Sequence, residues 1–286
     1  MYETKQNPRD IIIERIKSEG HIPLDEYMSV CLKHYYSTRV PLGKDGDFTT
    51  SPEISQMFGE MVAVWFLDIW QKLEEDVPDK FNLIELGPGR GTLMADILRV
   101  AAKYPGFCES AEVCMVETSP LLREEQKKAL KGYEAVWYEN IKDIPKRFSF
   151  IIANEFFDAL PIKQFEKRKG RWFERVVEYD RGNNLFKLGY LESDFKQEAK
   201  DGSIMEVNDD SVDMIKYISS LVADFGGAGL FIDYGYTVIP YKDTLQAVKN
   251  HKYTDFLDNP GECDITAYVD FDKLQSIMKQ DANISG

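Results

Sequence analysis

The stretch Leu83-Ile84-Glu85-Leu86-Gly87-Pro88-Gly89-Arg90-Gly91 decides the fold. Its first four residues read as a buried strand carrying one acid, the next five as a glycine-rich turn, and the residues beyond as a helix. Gly87 and Gly89, with Pro88 between them, let the backbone turn tightly and approach a ligand without a Cβ in the way. Gly91 opens the helix whose free N–H groups face that ligand. A dinucleotide turn is spaced G-x-G-x-x-G and receives a pyrophosphate. Here the spacing is G-x-G-x-G behind Glu85, an acid that repels a pyrophosphate and suits the α-amino group of a methionine moiety. S-adenosylmethionine is therefore preferred over NAD as the cofactor.

Working outward, short apolar strands alternate with helical stretches, the signature of βαβ units and a parallel sheet. Strands are expected near 82–86, 112–117, 134–138, 149–154 and 228–233, with helices near 91–104, 119–131 and 209–224. The fold class is a doubly wound, Rossmann-like α/β sheet. An N-terminal helical extension precedes it and a β-hairpin is inserted in it. The hairpin is RWFERVVEYD and LFKLGYLES, joined by residues 181–184, within an insertion near 165–205. Upstream, Asp10 to Ser18 and Leu24 to Tyr36 have helical spacing. A longer helix begins after Ser51 as N-cap and Pro52 at the first position, with Glu53 in its first turn. Its residues Ile54, Met57, Phe58, Met61, Val62, Trp65, Phe66, Ile69 and Trp70 cover more than one face, so burial on two sides is expected. The expected division is 1–78, a helical region with a loop, and 79–286, the cofactor-binding domain.

Further polar residues fall where strands end. Val113 to Val116 is an apolar run closed by Glu117, placed to accept from ribose hydroxyls; the alternative is a cap on the helix that begins at Ser119-Pro120. Asn140 follows the third strand, where an amide can frame adenine, or where a plain surface turn can lie. The fourth strand delivers Asn154, Glu155 and Asp158 to the ligand edge, with Phe156 and Phe157 as walls of an acceptor pocket. Methyl transfer is an in-line displacement that needs positioning and exclusion of water. An arginine acceptor stays charged, so Glu155 and Asp158 would align its guanidinium; the alternative is that they cap the following turn. Asp233-Tyr234-Gly235 ends the fifth strand, and Tyr234 is a further acceptor-side candidate.

Composition narrows the partners. A formal charge of −14 over 286 residues disfavours nucleic acid and favours a cationic protein partner. Cys31, Cys108, Cys114 and Cys263 show no metal-ligand spacing and the three histidines are scattered, so no metal and reduced thiols are expected. No apolar run nears the roughly eighteen residues of a membrane span, and the opening MYETKQNPRD is unlike a signal or transit peptide, so a cytoplasmic protein is expected.

Five ordered blocks complete the reading: GDFTTSPE from Gly46, ELGPGRGTL from Glu85, NEFFDALP from Asn154, Ile232-Asp233-Tyr234-Gly235-Tyr236, and PGECDITAYVDF from Pro260. Together they resemble the MidA family over nearly the whole chain, from about Ile11 to Met278. That family includes the mitochondrial complex I assembly factor that is a protein-arginine methyltransferase. The resemblance implies a class I methyltransferase fold, S-adenosylmethionine as donor and, for the mitochondrial members, an arginine of a respiratory-complex subunit as acceptor. It also implies a lid formed by the GDFTTSPE loop, with Asp47 and Ser51 hydrogen-bonding over the cofactor; the alternative is an ordinary loop and helix cap. Such folds close with an antiparallel pair of strands after the last helix. Here that pair is expected to be missing, leaving a sheet edge unpaired. A methyltransferase for another acceptor, an inactive cofactor-binding assembly chaperone and an NAD-linked dehydrogenase remain as alternatives.

Overall fold

The computed structural model describes residues 6–40, 47, 51–73 and 77–280. The chain opens with α1 (Pro8–Glu19), β1 (Ile22–Pro23), α2 (Leu24–Thr38), α3 (Ser51–Ile54) and α4 (Gln56–Leu73). Next come β2 (Phe81–Leu86), α5 (Thr92–Ala101), α6 (Pro105–Ser110), β3 (Ala111–Val116), α7 (Pro120–Ala129), β4 (Ala135–Tyr138) and β5 (Ser149–Asn154). Four strands, β6 (Lys163–Arg168), β7 (Arg171–Asp180), β8 (Leu185–Ser193) and β9 (Ile204–Val207), lead into α8 (Asp209–Phe225) and β10 (Gly227–Ile232). The short strands β11 (Gly235–Tyr236), β12 (Gln246–Lys249), β13 (Lys252–Thr254), β14 (Asp264–Thr266) and β15 (Val269–Asp270) precede α9 (Phe271–Met278).

Two compact units result, and they do not follow a division in chain order at residue 78. One gathers Met1–Thr38, Asp158–Asp213 and Tyr234–Leu274; the other gathers Arg39–Phe157, Met214–Asp233 and Gln275–Gly286. The second holds the parallel sheet, in the order β10-β5-β2-β3-β4. Leu83 lies beside Val113 on one side and Phe150 on the other, so β2 is central, and all six of its residues are buried. A strand covered on both faces has no solvent side, which is why it reads as a continuous apolar run. Strand order reverses between β2 and β5, and ligands of open α/β sheets bind at the carboxyl ends beside such a reversal. Among the described residues β10 and β4 are the edge strands. The chain end at Asp281–Gly286, where the closing strands were expected to be missing, lies outside the described residues.

The core of this unit is aromatic. Phe81 meets Phe107 and Phe150 edge-on at ring separations of 5.0 and 5.3 Å, and Phe66 of α4 meets Phe150 at 5.4 Å. Each such buried ring contributes roughly 1.5–3 kcal/mol. Helix α4 buries Gly59, Val62, Ala63, Phe66 and Leu67. Burial on two sides does not hold, however: Met57 and Met61 are 67% and 62% exposed, and Ile54 and Val64 lie with them in solvent. A helix apolar all round need not be covered all round when one face alone anchors it. Gly59 matters on the covered face, since a Cβ there would stand 2.5 Å from that of Asp96 on α5.

In the other unit the sequence-expected hairpin forms, with β7 and β8 paired from Trp172↔Ser193 to Asp180↔Leu185. It belongs to an antiparallel sheet, β1-β7-β6-β9, with β8 on β7. Ile12, Leu24, Met28, Val177 and Ile265 pack in one apolar cluster there. The four cysteines are free, and burial pushes the Cys31 and Cys114 thiols up to about 12. No helix among the described residues is long and apolar enough to cross a membrane.

Candidate active site

The glycine turn has the form its residues require. Gly87, Gly89 and Gly91 adopt φ of 58, 52 and 81°, a region that costs residues with a Cβ. Gly87 N donates to Val116 O at 3.1 Å, and Gly91 N donates to Pro88 O at 2.7 Å. Gly91 is the N-cap of α5 and offers no side-chain acceptor, so the helix's first N–H groups remain for a ligand. Both outer glycines also permit close packing. A Cβ on Gly87 would sit 2.7 Å from the Phe156 ring, and one on Gly91 would sit 3.1 Å from Gln126 Cα.

Two carboxylates flank this turn in different states. Glu85 is 3% exposed, and one of its oxygens accepts from the Met94 backbone in the first turn of α5. Its Oε2 is buried with no hydrogen-bond partner. Burial in a region short of donors pushes its pKa up to about 8. Glu117 is also buried, but its Oε1 accepts from Ser119 N at 2.7 Å and its Oε2 from Gln126 Nε2 at 3.1 Å. Burial raises its pKa and those bonds oppose the rise. Glu117 thus caps the segment entering α7, the alternative weighed for it, while standing at the end of β3.

Gln126, fully buried on α7, was not foreseen. Its Nε2 donates to Gly89 O at 2.8 Å as well as to Glu117, and its Oε1 accepts from Trp137 Nε1 at 2.8 Å. One amide therefore ties the glycine turn, the acid after β3 and strand β4 together. Its sequence signal is faint: a lone amide in the charged run REEQKK.

The end of β5 carries the third acid. Asn154 pairs with Ile232, and Glu155 N donates to Ile232 O at 2.9 Å. Glu155 then turns into the left-handed region at φ 49°, a conformation costing on the order of 1–3 kcal/mol for a residue with a side chain. Its Oε1 accepts from Ser51 N and Asn154 Nδ2, each at a long 3.4 Å. Burial raises its pKa; those two bonds lower it, and the nearby charges of Asp233 and Glu53 raise it again. Asp233 Oδ2 accepts from the amides of Phe156 and Phe157 at 3.1 and 2.9 Å, which fixes the turn after β5. Asn154 Oδ1 and both oxygens of Glu53 are buried without a hydrogen-bond partner.

The remaining candidates divide. Phe156 is half-buried against the glycine turn, whereas Phe157 is 1% exposed and packs edge-on to Phe231 at 5.5 Å, so its ring is core and not wall. Asn140 is exposed and caps a single 3-10 turn by accepting from Lys142 N at 2.9 Å, the surface-turn reading. Ser51 is the first residue of α3, where its amide serves Glu155. Asp47 is buried; Gly46, Phe48, Thr49 and Thr50 of the expected lid lie outside the described residues. Asp158 and Tyr234 belong to the other unit. There Asp158 O accepts from Ala267 N at 2.9 Å, and Tyr234, 59% exposed, accepts through its carbonyl from Val269 N at 2.8 Å. No cluster of His, Cys, Asp and Glu among the described residues could hold a metal ion.

A glycine turn at a helix start, a donor-starved Glu85 and an acid closing β3 fit a nucleoside carrying an amino acid, and comparison with known proteins agrees. Residues 61–286 match the family model for S-adenosyl-L-methionine-dependent methyltransferases. The mitochondrial protein arginine methyltransferase NDUFAF7 of Xenopus tropicalis is 36% identical, over 96% of this chain and 71% of that protein. Its Caenorhabditis elegans homolog is 33% identical, over 99% of this chain and 74% of its own length. In fold, the chain is similar to a COG1565 superfamily member from Burkholderia thailandensis, solved bound to S-adenosyl-homocysteine. The TM-score is 0.80 at 23% identity, covering 96% of this chain and 76% of that one. The chain belongs to the S-adenosyl-L-methionine-dependent methyltransferase family, in the branch of the MidA-type proteins that its five motif blocks resemble.

Proposed function

We propose that the protein methylates an arginine side chain of a partner protein, with the donor held by the glycine turn and the acceptor by Glu155. The observation that carries the acceptor side is the gathering of Glu155, Asp233 and Glu53 next to Asn154, where buried acceptors outnumber donors. A guanidinium brings five N–H donors in a plane and stays charged at neutral pH, so it supplies what this group lacks. The names of the curated relatives, protein arginine methyltransferases, support the same choice. The respiratory-complex subunit implied by the MidA resemblance is the first acceptor to try.

The donor contributes a methyl group on a positively charged sulfur. The free N–H groups at the start of α5 would receive its carboxylate and Glu85 Oε2 its ammonium, with Glu117 toward the ribose. Glu155 would fix one guanidinium nitrogen in line with the methyl carbon and, with its pKa raised, take the proton that nitrogen releases. Phe156 would exclude water from the glycine-turn side.

Glu155→Ala tests this assignment. Calorimetric donor binding is expected to stay within about twofold, while labelled methyl transfer to arginine in lysate proteins falls by about 10²-fold or more. Transfer at the parent rate would remove Glu155 from the acceptor site; label on another residue type alone would overturn the arginine reading.

A further inference from the structure

We infer that Glu53 is a second acceptor-binding carboxylate, which together with Glu155 selects a guanidinium over a neutral side chain. The inference rests on the arginine reading above and adds to it a residue whose sequence role was only that of a first-turn acid. Its basis is a mismatch between burial and partnership. The Glu53 side chain is nine-tenths buried, at 10% exposure, and neither oxygen has a hydrogen-bond partner. Buried carboxylates are normally neutralised, paired or hydrogen-bonded. The ion pair recorded for Glu53 is to Arg90, with its Nη1 3.6 Å away, beyond hydrogen-bond length, on a side chain 45% exposed to water. That carboxylate already faces one guanidinium loosely and keeps its acceptor capacity.

Placement gives this loosely paired carboxylate a direction. Glu53 lies in α3 two residues after Ser51, whose amide holds the Glu155 carboxylate. Its charge acts on Glu155 directly, and Asn154 Oδ1 beside Glu155 is orphaned as well. The Glu53 charge disfavours an ionised Glu155, Arg90 offsets Glu53 only from 3.6 Å, and a planar cation with donors on two edges would relieve both acids at once. A neutral amide acceptor would leave that repulsion in place. The specificity therefore lies in the pair, with Glu155 positioning the reacting nitrogen and Glu53 holding the far side of the guanidinium.

The test uses tritiated S-adenosylmethionine and a mixed library of ten-residue peptides, each with one central arginine, beside the same library carrying citrulline there. Wild-type protein is expected to label the arginine library alone. Glu53→Gln, which keeps shape and removes charge, should raise the KM for that library by about tenfold or more while the donor Kd stays within about twofold. Glu53→Asp should recover part of the loss, and it keeps the test decisive if the Gln variant fails to fold. Equal KM in wild type and Glu53→Gln would overturn the role of Glu53 and leave the arginine reading standing. A weakened donor Kd with unchanged acceptor KM would overturn it too, by assigning Glu53 to the donor side. A wild type that labels neither library, or citrulline equally, would overturn the arginine reading and this inference with it.

Discussion

Glu85 should make both the stability of the free protein and its affinity for the donor depend on protons. Burial raises its carboxyl from an ordinary 4.5 to about 8 in the folded chain. At about 1.4 kcal/mol per pKa unit, a shift of roughly 3.5 units amounts to about 5 kcal/mol. The folded state holds a proton that the unfolded state has released, so stability falls as pH rises from 4.5 toward 8, and the loss is complete above that. Between pH 6 and 8.5 the share belonging to Glu85 is about 2.5 kcal/mol, a large part of a typical domain's 5–15 kcal/mol. Other buried acids titrate too, so the quantity to measure is the difference between wild type and Glu85→Gln in denaturant titrations at the two pH values. The donor then supplies a second readout. At pH 7 free Glu85 is mostly protonated, and an ammonium against Oε2 would favour the charged form, so donor binding should release a proton. Calorimetry in buffers of different ionisation enthalpy counts that proton, and Glu85→Gln should abolish it while weakening binding. Donor binding without proton release near pH 7, at equal affinity in Glu85→Gln, would refute the placement of the ammonium there.

Two other perturbations probe the frame around the turn. Gln126→Ala strips partners from Gly89 O, Glu117 Oε2 and Trp137 Nε1 together, at about 1–3 kcal/mol for each group left unpaired; donor Kd should rise about tenfold or more with kcat at saturating donor little changed, and an unchanged Kd would show that the amide serves packing alone. Gly59→Ala places a methyl 2.5 Å from Asp96 Cβ and forces α4 and α5 apart, for a loss of about 1–3 kcal/mol; a thermal midpoint equal to wild type would show that the two helices have slack.

The parallel sheet was legible because burial on both faces writes itself into sequence. Phe150-Ile151-Ile152-Ala153 is a run no solvent-facing strand would carry, and the polar residues that interrupt it at Asn154 mark the edge where ligands bind. The β7–β8 hairpin was legible from its turn, where Asp180 Oδ1 accepts from Gly182 N at 2.9 Å. The strands around it were not. β6 and β9 join through Gln164↔Glu206, and the side chains there form a network in which Gln164 Nε2 donates to Glu206 at 2.8 Å and to Asp243 at 2.7 Å, with Arg175 among them. Scattered over eighty residues of sequence, those polar groups look like solvated surface, and only the fold pairs them. The apolar residues of α4 misled in the opposite direction. Composition counts how many faces are greasy and is silent on how many are covered.

The same limit explains why three of the acids proposed for the site stand out in the sequence and Glu53 does not. Glu85, Glu117 and Glu155 each sit at or next to a strand end, so strand pattern and position suffice to find them. What distinguishes their chemistry is the number of donors the fold brings to each, which no local pattern records. Glu117 has both oxygens occupied by its own chain, so a ribose would join an arrangement already set. Glu85 has one oxygen held and one open, as the proposed receptor for an ammonium would need. Glu155 is held only by long bonds, and Glu53 by no hydrogen bond and a loose ion pair to Arg90, so both keep acceptor capacity for what enters. Donor occupancy thus falls from the side that would hold the ribose to the side that would hold the acceptor. A donor common to every reaction cycle is served by a rigid receptor, while an acceptor side chain that arrives on another protein needs carboxylates that can adjust to it.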